Sequence, residues 1–404
     1  MAALDGIRVL DLSRILAGPW CTMTLADLGA EVWKVETPHG GDDTRQWSPP
    51  DKEGVSTYYL TINRSKKSIA IDLNRPQGRE LIRQLARSAD IIVENLRPAT
   101  LERWGFDYEA FRAINPRVIY CSISGYGRAT PFSERPGYDF VLQAECGFMA
   151  VTGEPAGEPM RLGVAFIDIV TGMNAVQSIL AALYARERTG QGQAIDIALL
   201  DSGLQCLANV ATAHLNTGQE ARRYGNAHPS IVPYELFAAA GGRHLAVAVG
   251  NDEQYRRLCV DVLRSPELWE DARFQTNRGR TANRTILVPE LQKRFAQIDA
   301  EELQRRMGEH GIPAGEVRSV SAALASPEAR AREAVVAVDT DWIGELRLVA
   351  SPLRLSGTPP RAPLAPPRLG EHTREILRDV LHLGAEEVDE LVKQKVVQFQ
   401  QTGP

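Results

Sequence analysis

The chain predicts an α/β fold built on a doubly wound parallel sheet, with a second, smaller α+β domain inserted into it. Three observations lead there. Over the first third, short β-branched runs alternate with helix-length segments, the pattern that parallel pairing with right-handed crossovers requires. Proline and glycine stand where such elements start and stop. After Arg222 the texture changes to a hairpin followed by helices.

Each element has its own reason. Ile7-Arg-Val-Leu-Asp-Leu12 reads as a strand, and Pro19 in Ala17-Gly-Pro19 suits the first turn of a helix. That helix runs through Met23, Leu25 and Leu28 to Gly29, and Glu31–Glu36 follows as a second strand. A helix over Pro76–Arg87, strand Ile91–Val93, helix Tyr108–Ala113 and strand Val118–Ile123 repeat the alternation. Ile169–Arg188 reads as one long helix, Ala194–Ala198 as a strand and Leu199–Leu215 as another helix. Tyr234–Ala240 and Arg243–Val249 flank Gly241-Gly242, the residue pair a primed hairpin turn needs. Helices near Glu253–Leu263, Thr285–Phe295 and Glu301–His310 follow, the last stopping at Gly311. The proline-rich stretch Ser351–Pro367 suits an extended crossing segment, and Glu371–Lys393 returns to helix. The expected division is 1–224 for the first part of the large domain, 225–318 for the small one, and 319–404 for a linker and return.

The 404 residues suffice for two to three domains. Lys plus Arg number 46 against 51 Asp plus Glu, a net charge of -5, so no general field draws nucleic acid or anionic lipid. Any bound anion needs a local basic cluster. Five cysteines without a CxxC pair suggest neither a disulfide framework nor a zinc site. The start lacks a basic stretch before an apolar core, and no apolar run approaches bilayer-spanning length. The chain reads as a soluble protein of a reducing, cytoplasmic compartment.

The local motifs exclude several chemistries. Leu16-Ala-Gly-Pro19 stands where a dinucleotide fold would carry GxGxxG, and neither a P-loop, HExxH nor GxSxG occurs. The seven histidines show no metal spacing, so no metal is expected. Arg64, Lys66 and Lys67 precede a strand, while Arg75, Arg97 and Arg103 follow strands at helix boundaries. Such residues either converge on a polyphosphate at one sheet edge or form a solvated basic face. Asp168 closes the apolar run Gly163–Ile167 and opens the long helix. Helix capping explains an aspartate there, and so does a nucleophile kept charged by the helix start. Spacing does not choose between them.

Ordered matches along nearly the whole chain resemble the class III CoA-transferases, which include formyl-CoA transferases, carnitine CoA-transferases and α-methylacyl-CoA racemases. The matching segments include Gly6–Leu12, Ala17–Pro19, Leu25–Val32, Gly41–Arg45, Val93–Pro98, Gly137–Asp139, Arg188–Gly192 and Leu369–Thr373. Arg14–Pro19, Ser56–Leu60, Lys66–Ala70 and Ser230–Tyr234 are similar in character to succinyl-CoA:glutarate (hydroxymethylglutarate) transferases. The resemblance implies a large Rossmann-like domain split in sequence and an interlocked homodimer. It puts the catalytic aspartate on Asp168, passing through an acyl-aspartyl anhydride and an aspartyl-CoA thioester. CoA, a substrate rather than a resident cofactor, would touch Leu16, Ala17, Leu73, Asn74, Arg75, Asn95, Leu96, Arg97, Arg103, Gly137, Tyr138 and Asp139. Arg45 is the expected partner of a dicarboxylate's far end. Three departures stand out: Leu16 and Thr37 replace a glutamine and an arginine of formyl-CoA transferases, and their glycine-rich lid is missing. The rival readings are a racemase and a non-catalytic acyl-CoA-binding protein. Racemases pair a histidine with the following aspartate, where this chain has Tyr138-Asp139.

Overall fold

A computed structural model describes residues 1–399. Its large unit is built on strands β1 (Arg8–Asp11), β2 (Glu31–Glu36), β3 (Lys67–Ile71), β4 (Ile91–Glu94), β5 (Ile119–Ser124) and β6 (Ala194–Ala198). They order as β3-β2-β1-β4-β5-β6, all parallel, and Val397–Gln398 adds an antiparallel strand beside β3. This is the doubly wound order. The helices that matter below are α1 (Ala17–Asp27), α2 (Pro76–Ser88), α3 (Pro98–Trp104), α4 (Asp139–Glu145), α5 (Phe166–Thr189) and α6 (Leu199–Cys206).

Successive residues of each central strand enter different cores, because strand side chains alternate faces. Val9, Val32 and Ile91 join Cys21 and Leu25 of α1 and Ala175 and Ile179 of α5. Leu10, Trp33 and Ile92 join Leu81, Ile82 and Leu85 of α2 and Ile376 and Leu377 near the C-terminus. Each such leucine or isoleucine stabilises the fold by roughly 1.5–3 kcal/mol. Helix α5, 24 residues long, has the length and apolar composition of a membrane span, contrary to the sequence expectation. In this fold it is a core helix, with Ile167, Ala175 and Ile179 buried.

Two expected helices are broken. The segment 199–215 divides into α6 and Ala208–Thr217, and Ala208 at the break has φ 46°. The C-terminal segment divides into Thr373–Asp379 and Ala385–Lys393, with His382 at φ 57° between them. The hairpin Val335–Thr340/Gly344–Val349 is not among the expected elements, although Val335–Val338 is an apolar run and Leu346 and Leu348 alternate with charged residues. It buries Ile343, Leu346 and Leu348 against Tyr59 and Leu60.

Contacts divide the chain into a large unit of Met1–Phe148, Leu162–Asn216 and Arg330 onward, and a small unit of Met149–Arg161 and Thr217–Ala329. The small unit therefore includes residues 149–161, outside the expected 225–318. Hydrogen bonds explain this: Gly225 N–H donates to the Gly153 carbonyl at 3.1 Å, and Arg223 donates to the carbonyls of Glu154 and Gly157. The last five residues of the expected return segment, 400–404, lie outside the described residues. The small unit holds the hairpin Tyr234–Ala238/His244–Ala248, with Gly241 and Gly242 at φ 78° and 79° in its turn.

Candidate active site

Strand order places the candidate site. Between β1 and β4 the chain winds away in opposite directions, which opens a crevice at the carboxyl edge of the sheet. The loops after β1 and β4 border a cleft of about 200 Å³, and Asp168, Leu16, Ala17, Asn95, Leu96, Arg97, Gly137 and Tyr138 all line it. A neighbouring cleft of about 300 Å³ is lined by Leu73, Asn74 and Arg103, together with Thr37 and Trp104. Arg14, Leu96 and Arg97 border both. Arg75 lies outside the two linings, with its guanidinium 3.4 Å from Asp72. A larger cavity, about 760 Å³, sits at the start of β1 and β2 and mixes Lys67 and Arg361 with Glu31, Asp90 and Asp341. It is remote from the switch-point loops.

Close backbone packing brings Asp168 there. Gly172, one helical turn on, faces the start of α1; a Cβ at that position would lie 2.7 Å from the Ala17 carbonyl oxygen. Gly18 in turn admits Ser13, whose Cβ would lie 2.3 Å from any added methyl. Gly125 and Gly137 touch in the same way, laying the loop before α4 against the end of β5.

Asp168 is not the helix cap. The helix begins at Phe166 with Ala165 in the cap position, which puts Asp168 in the first turn. The capping acceptor comes from α4: Asp139 Oδ1 accepts from the N–H groups of Ile167 at 2.8 Å and Asp168 at 3.3 Å. The Asp168 carboxylate accepts no hydrogen bond among the described residues, and it is half-buried. Burial, and then the charge of Asp139, raise its pKa from 3.8 to about 7.

Asp139 is therefore a buried support, 5% exposed, rather than an open lining residue. Gln143 fixes it. The Leu162 N–H donates to Gln143 Oε1 at 2.8 Å, while Gln143 Nε2 donates to the Val164 carbonyl and, at 2.6 Å, to Asp139 Oδ2. Both Asp139 oxygens thus act as acceptors. Sequence reasoning missed Gln143, Arg14, Arg128 and Tyr58. Burial, and then the charges of Asp168, Asp139 and Asp42, push the Tyr58 hydroxyl up to about 12. Its only sequence signal was its place in Ser56–Leu60.

Arg45 is corrected. Its Nε and Nη2 pair with Glu36 at 2.7 and 2.8 Å, and Nη2 also donates to Tyr59 Oη and the Pro367 carbonyl. The guanidinium is consumed by a buried fold contact and lines neither cleft. Replacing Arg45 by alanine is expected to cost about 3–5 kcal/mol in urea unfolding, because Glu36 stays buried without its partner. Selective loss of dicarboxylate turnover at unchanged stability would restore the substrate role. Three residues of the basic cluster are likewise structural: Arg64 pairs with Asp27, Lys66 with Asp11, and Lys67 with Glu31 and Glu375.

Comparison with known proteins agrees with this architecture. The model of CoA-transferase family III matches residues 4–373. A succinate–glutarate CoA-transferase of Agrobacterium fabrum is 42% identical over 383 residues, 93% of this chain and 95% of that protein. A human succinyl-CoA:glutarate CoA-transferase is 40% identical over 399 residues, covering 99% of this chain and 91% of its own. The crystal structure of a CAIB/BAIF family protein from Brucella suis superposes with a TM-score of 0.84 at 42% identity, covering 94% of this chain and 99% of that one. A match spanning the six parallel strands, the switch-point loops and Asp168 alike makes the chain a member of CoA-transferase family III.

Proposed function

We propose that this enzyme moves CoA from succinyl-CoA to a second dicarboxylate such as glutarate, with Asp168 as nucleophile. The observation that carries this reading is a half-buried carboxylate that accepts no hydrogen bond among the described residues, in the first turn of a helix and facing a cleft at the sheet's switch point. Little must be stripped from such an anion before it attacks, and the helix start favours its charge. The names of the relatives supply the acids.

In the first step an Asp168 oxygen attacks the thioester carbonyl. The carbon–sulfur bond breaks, CoA leaves as thiolate, and a succinyl-aspartyl anhydride remains. The thiolate then attacks the aspartyl carbonyl, which releases succinate and leaves an aspartyl-CoA thioester. The acceptor carboxylate attacks that thioester to form a new anhydride and thiolate. Attack of the thiolate on the acceptor's acyl carbon yields the product thioester and frees Asp168. Energy is conserved only if water is kept from both anhydrides. Leu16 and Ala17, at the start of α1, border the cleft and offer backbone N–H groups for the developing oxyanions.

The second cleft suits the phosphates of CoA. Arg97 and Arg103 are exposed there on the first and last turns around α3, with Asn74 and Thr37 beside them. Arg97 borders both clefts, so one extended ligand placed along them would meet Asp168 at its thioester end. We also read the enzyme as a cytoplasmic homodimer. Its free cysteines suit a reducing compartment, and Met173, Leu180 and Tyr184 leave an exposed apolar stripe on the otherwise core-forming α5.

The test is a panel of acyl-CoA donors against mono- and dicarboxylic acids, with CoA products separated by chromatography. Succinyl-CoA and glutarate are expected to give glutaryl-CoA and succinate in equal amounts. Hydrolysis alone, or deuterium uptake next to the thioester without any acceptor acid, would overturn the reading.

A further inference from the structure

Ile15 has φ 71°, the left-handed region that a β-branched residue occupies only under constraint. It lies in the loop after β1 and lines the cleft that holds Asp168. Glycine would adopt this backbone freely, yet the chain carries isoleucine. The surroundings must therefore hold the conformation.

They do so from two sides. The Asn95 side chain, at the end of β4, engages both backbone groups of the preceding residue: Arg14 N–H donates to Asn95 Oδ1 at 2.8 Å, and Asn95 Nδ2 donates to the Arg14 carbonyl at 2.7 Å. Asn95 itself is braced. Its neighbour Leu96 donates to Glu94 Oε2 at 2.8 Å, and Arg128 Nη2 donates to both Glu94 oxygens and to the Leu96 carbonyl. From the β2 side, Lys34 Nζ donates to the Ser13 carbonyl at 3.1 Å and pairs with Asp42 at 2.8 Å, while Ile15 N–H points at Asp42 Oδ1 at 3.4 Å. The Lys34–Asp42 pair is fully buried. Residues 13–15 are thus gripped between the loops after β2 and β4.

We propose that Asn95 is a positioning residue: its amide acts through the Arg14 backbone to keep Ile15 left-handed, and so sets the cleft wall formed by Ile15, Leu16 and Ala17 beside Asp168. The inference rests on the reading of this cleft as the acyl-transfer site. It differs from a CoA-contact role for Asn95, because the side-chain amide is directed at the neighbouring loop. Released from Asn95, Ile15 relaxes to negative φ, and the two residues that follow shift with it. A displacement of about 1 Å at a reacting centre can cost about 10²-fold in rate.

A double-mutant cycle of Asn95→Ala and Ile15→Gly tests this, with CoA transfer, thermal melting and crystal structures of the variants as readouts. In the wild-type background, Asn95→Ala is expected to lower kcat by at least ~10-fold while KM for acyl-CoA changes less than ~3-fold. In the Ile15→Gly background the same substitution is expected to lower kcat less than ~3-fold, because glycine takes positive φ without strain and nothing drives the loop to relax. Asn95→Asp keeps the acceptor but sets an oxygen against the Arg14 carbonyl, and its loss should match that of alanine. The cycle can be run with it if Asn95→Ala does not fold. In the structure of either Asn95 variant, residue 15 is expected at negative φ. Equal losses in both backgrounds, a KM rise at unchanged kcat, or a retained positive φ would each overturn the proposal. Absence of CoA transfer by the unmodified enzyme would instead count against the site reading itself.

Discussion

Asp168→Asn is expected to lower kcat by at least ~10³-fold while the folded structure is retained. Asparagine fills the same volume but cannot form the anhydride, so no step of the exchange has a substitute group. Hydroxylamine added during turnover should trap the wild-type residue as a hydroxamate, detectable by mass spectrometry, and leave the variant chain unmodified. Full activity in the variant, or trapping at another residue, would sink the mechanism. The pH dependence has a definite sign. The nucleophile is the anion, so kcat/KM should rise with pH along a limb centred near the pKa of about 7. Stability runs the other way. A folded-state pKa above the ordinary 3.8 means that the stabilising contribution is complete below about pH 4 and lost as pH climbs to about 7. At pH 8, Asp168→Asn should therefore unfold at higher urea than the wild type. The gain is on the order of 2 kcal/mol, about half what a fully dry site with this shift would give. Equal stability at pH 5 and pH 8, relative to the variant, would remove burial as the source of the shift.

Asp139→Asn is the second large effect, about 10²-fold in kcat, and it separates positioning from chemistry. An asparagine carbonyl can still cap Ile167 and Asp168. Its amide group, however, must then face Gln143 Nε2, which Leu162 and Val164 prevent from turning over. Two donors would meet in a buried site, at a cost of about 1–3 kcal/mol. The first turn of α5, and Asp168 with it, would shift. Loss of the Asp139 charge also removes the second cause of the raised Asp168 pKa, so the acid limb should move to lower pH. A merely structural role would lower activity without moving that limb, so an unmoved limb would refute the electrostatic part.

Much of the fold was legible because short-range rules governed it. β2 and β6 fall on the residues read as strands, and α1 and α2 match the punctuation of Pro19, Gly29 and Pro76 within a few residues. The breaks at Ala208 and His382 were not legible, since nothing in their local composition forces a positive φ. Two site assignments also changed when neighbours from distant sequence arrived. Arg45 is expected from the sequence to meet a substrate carboxylate, but Glu36 and the Pro367 carbonyl claim it across the fold. Asp139 looked like part of a ligand-binding segment, whereas its side chain caps a helix 28 residues later.

By itself, then, the sequence determined the alternation of strands and helices, the family resemblance, and Asp168 as the residue to watch. These follow from periodicity, turn chemistry and motif order, all local along the chain. Only the tertiary structure decided which carboxylate caps α5, which one accepts no hydrogen bond among the described residues, and which arginines are spent on buried partners. It also decided that Ile15 is held left-handed beside the cleft. Those outcomes depend on burial and on hydrogen bonds between residues far apart in sequence, and a side chain's chemistry at a site is set by what else competes for it there.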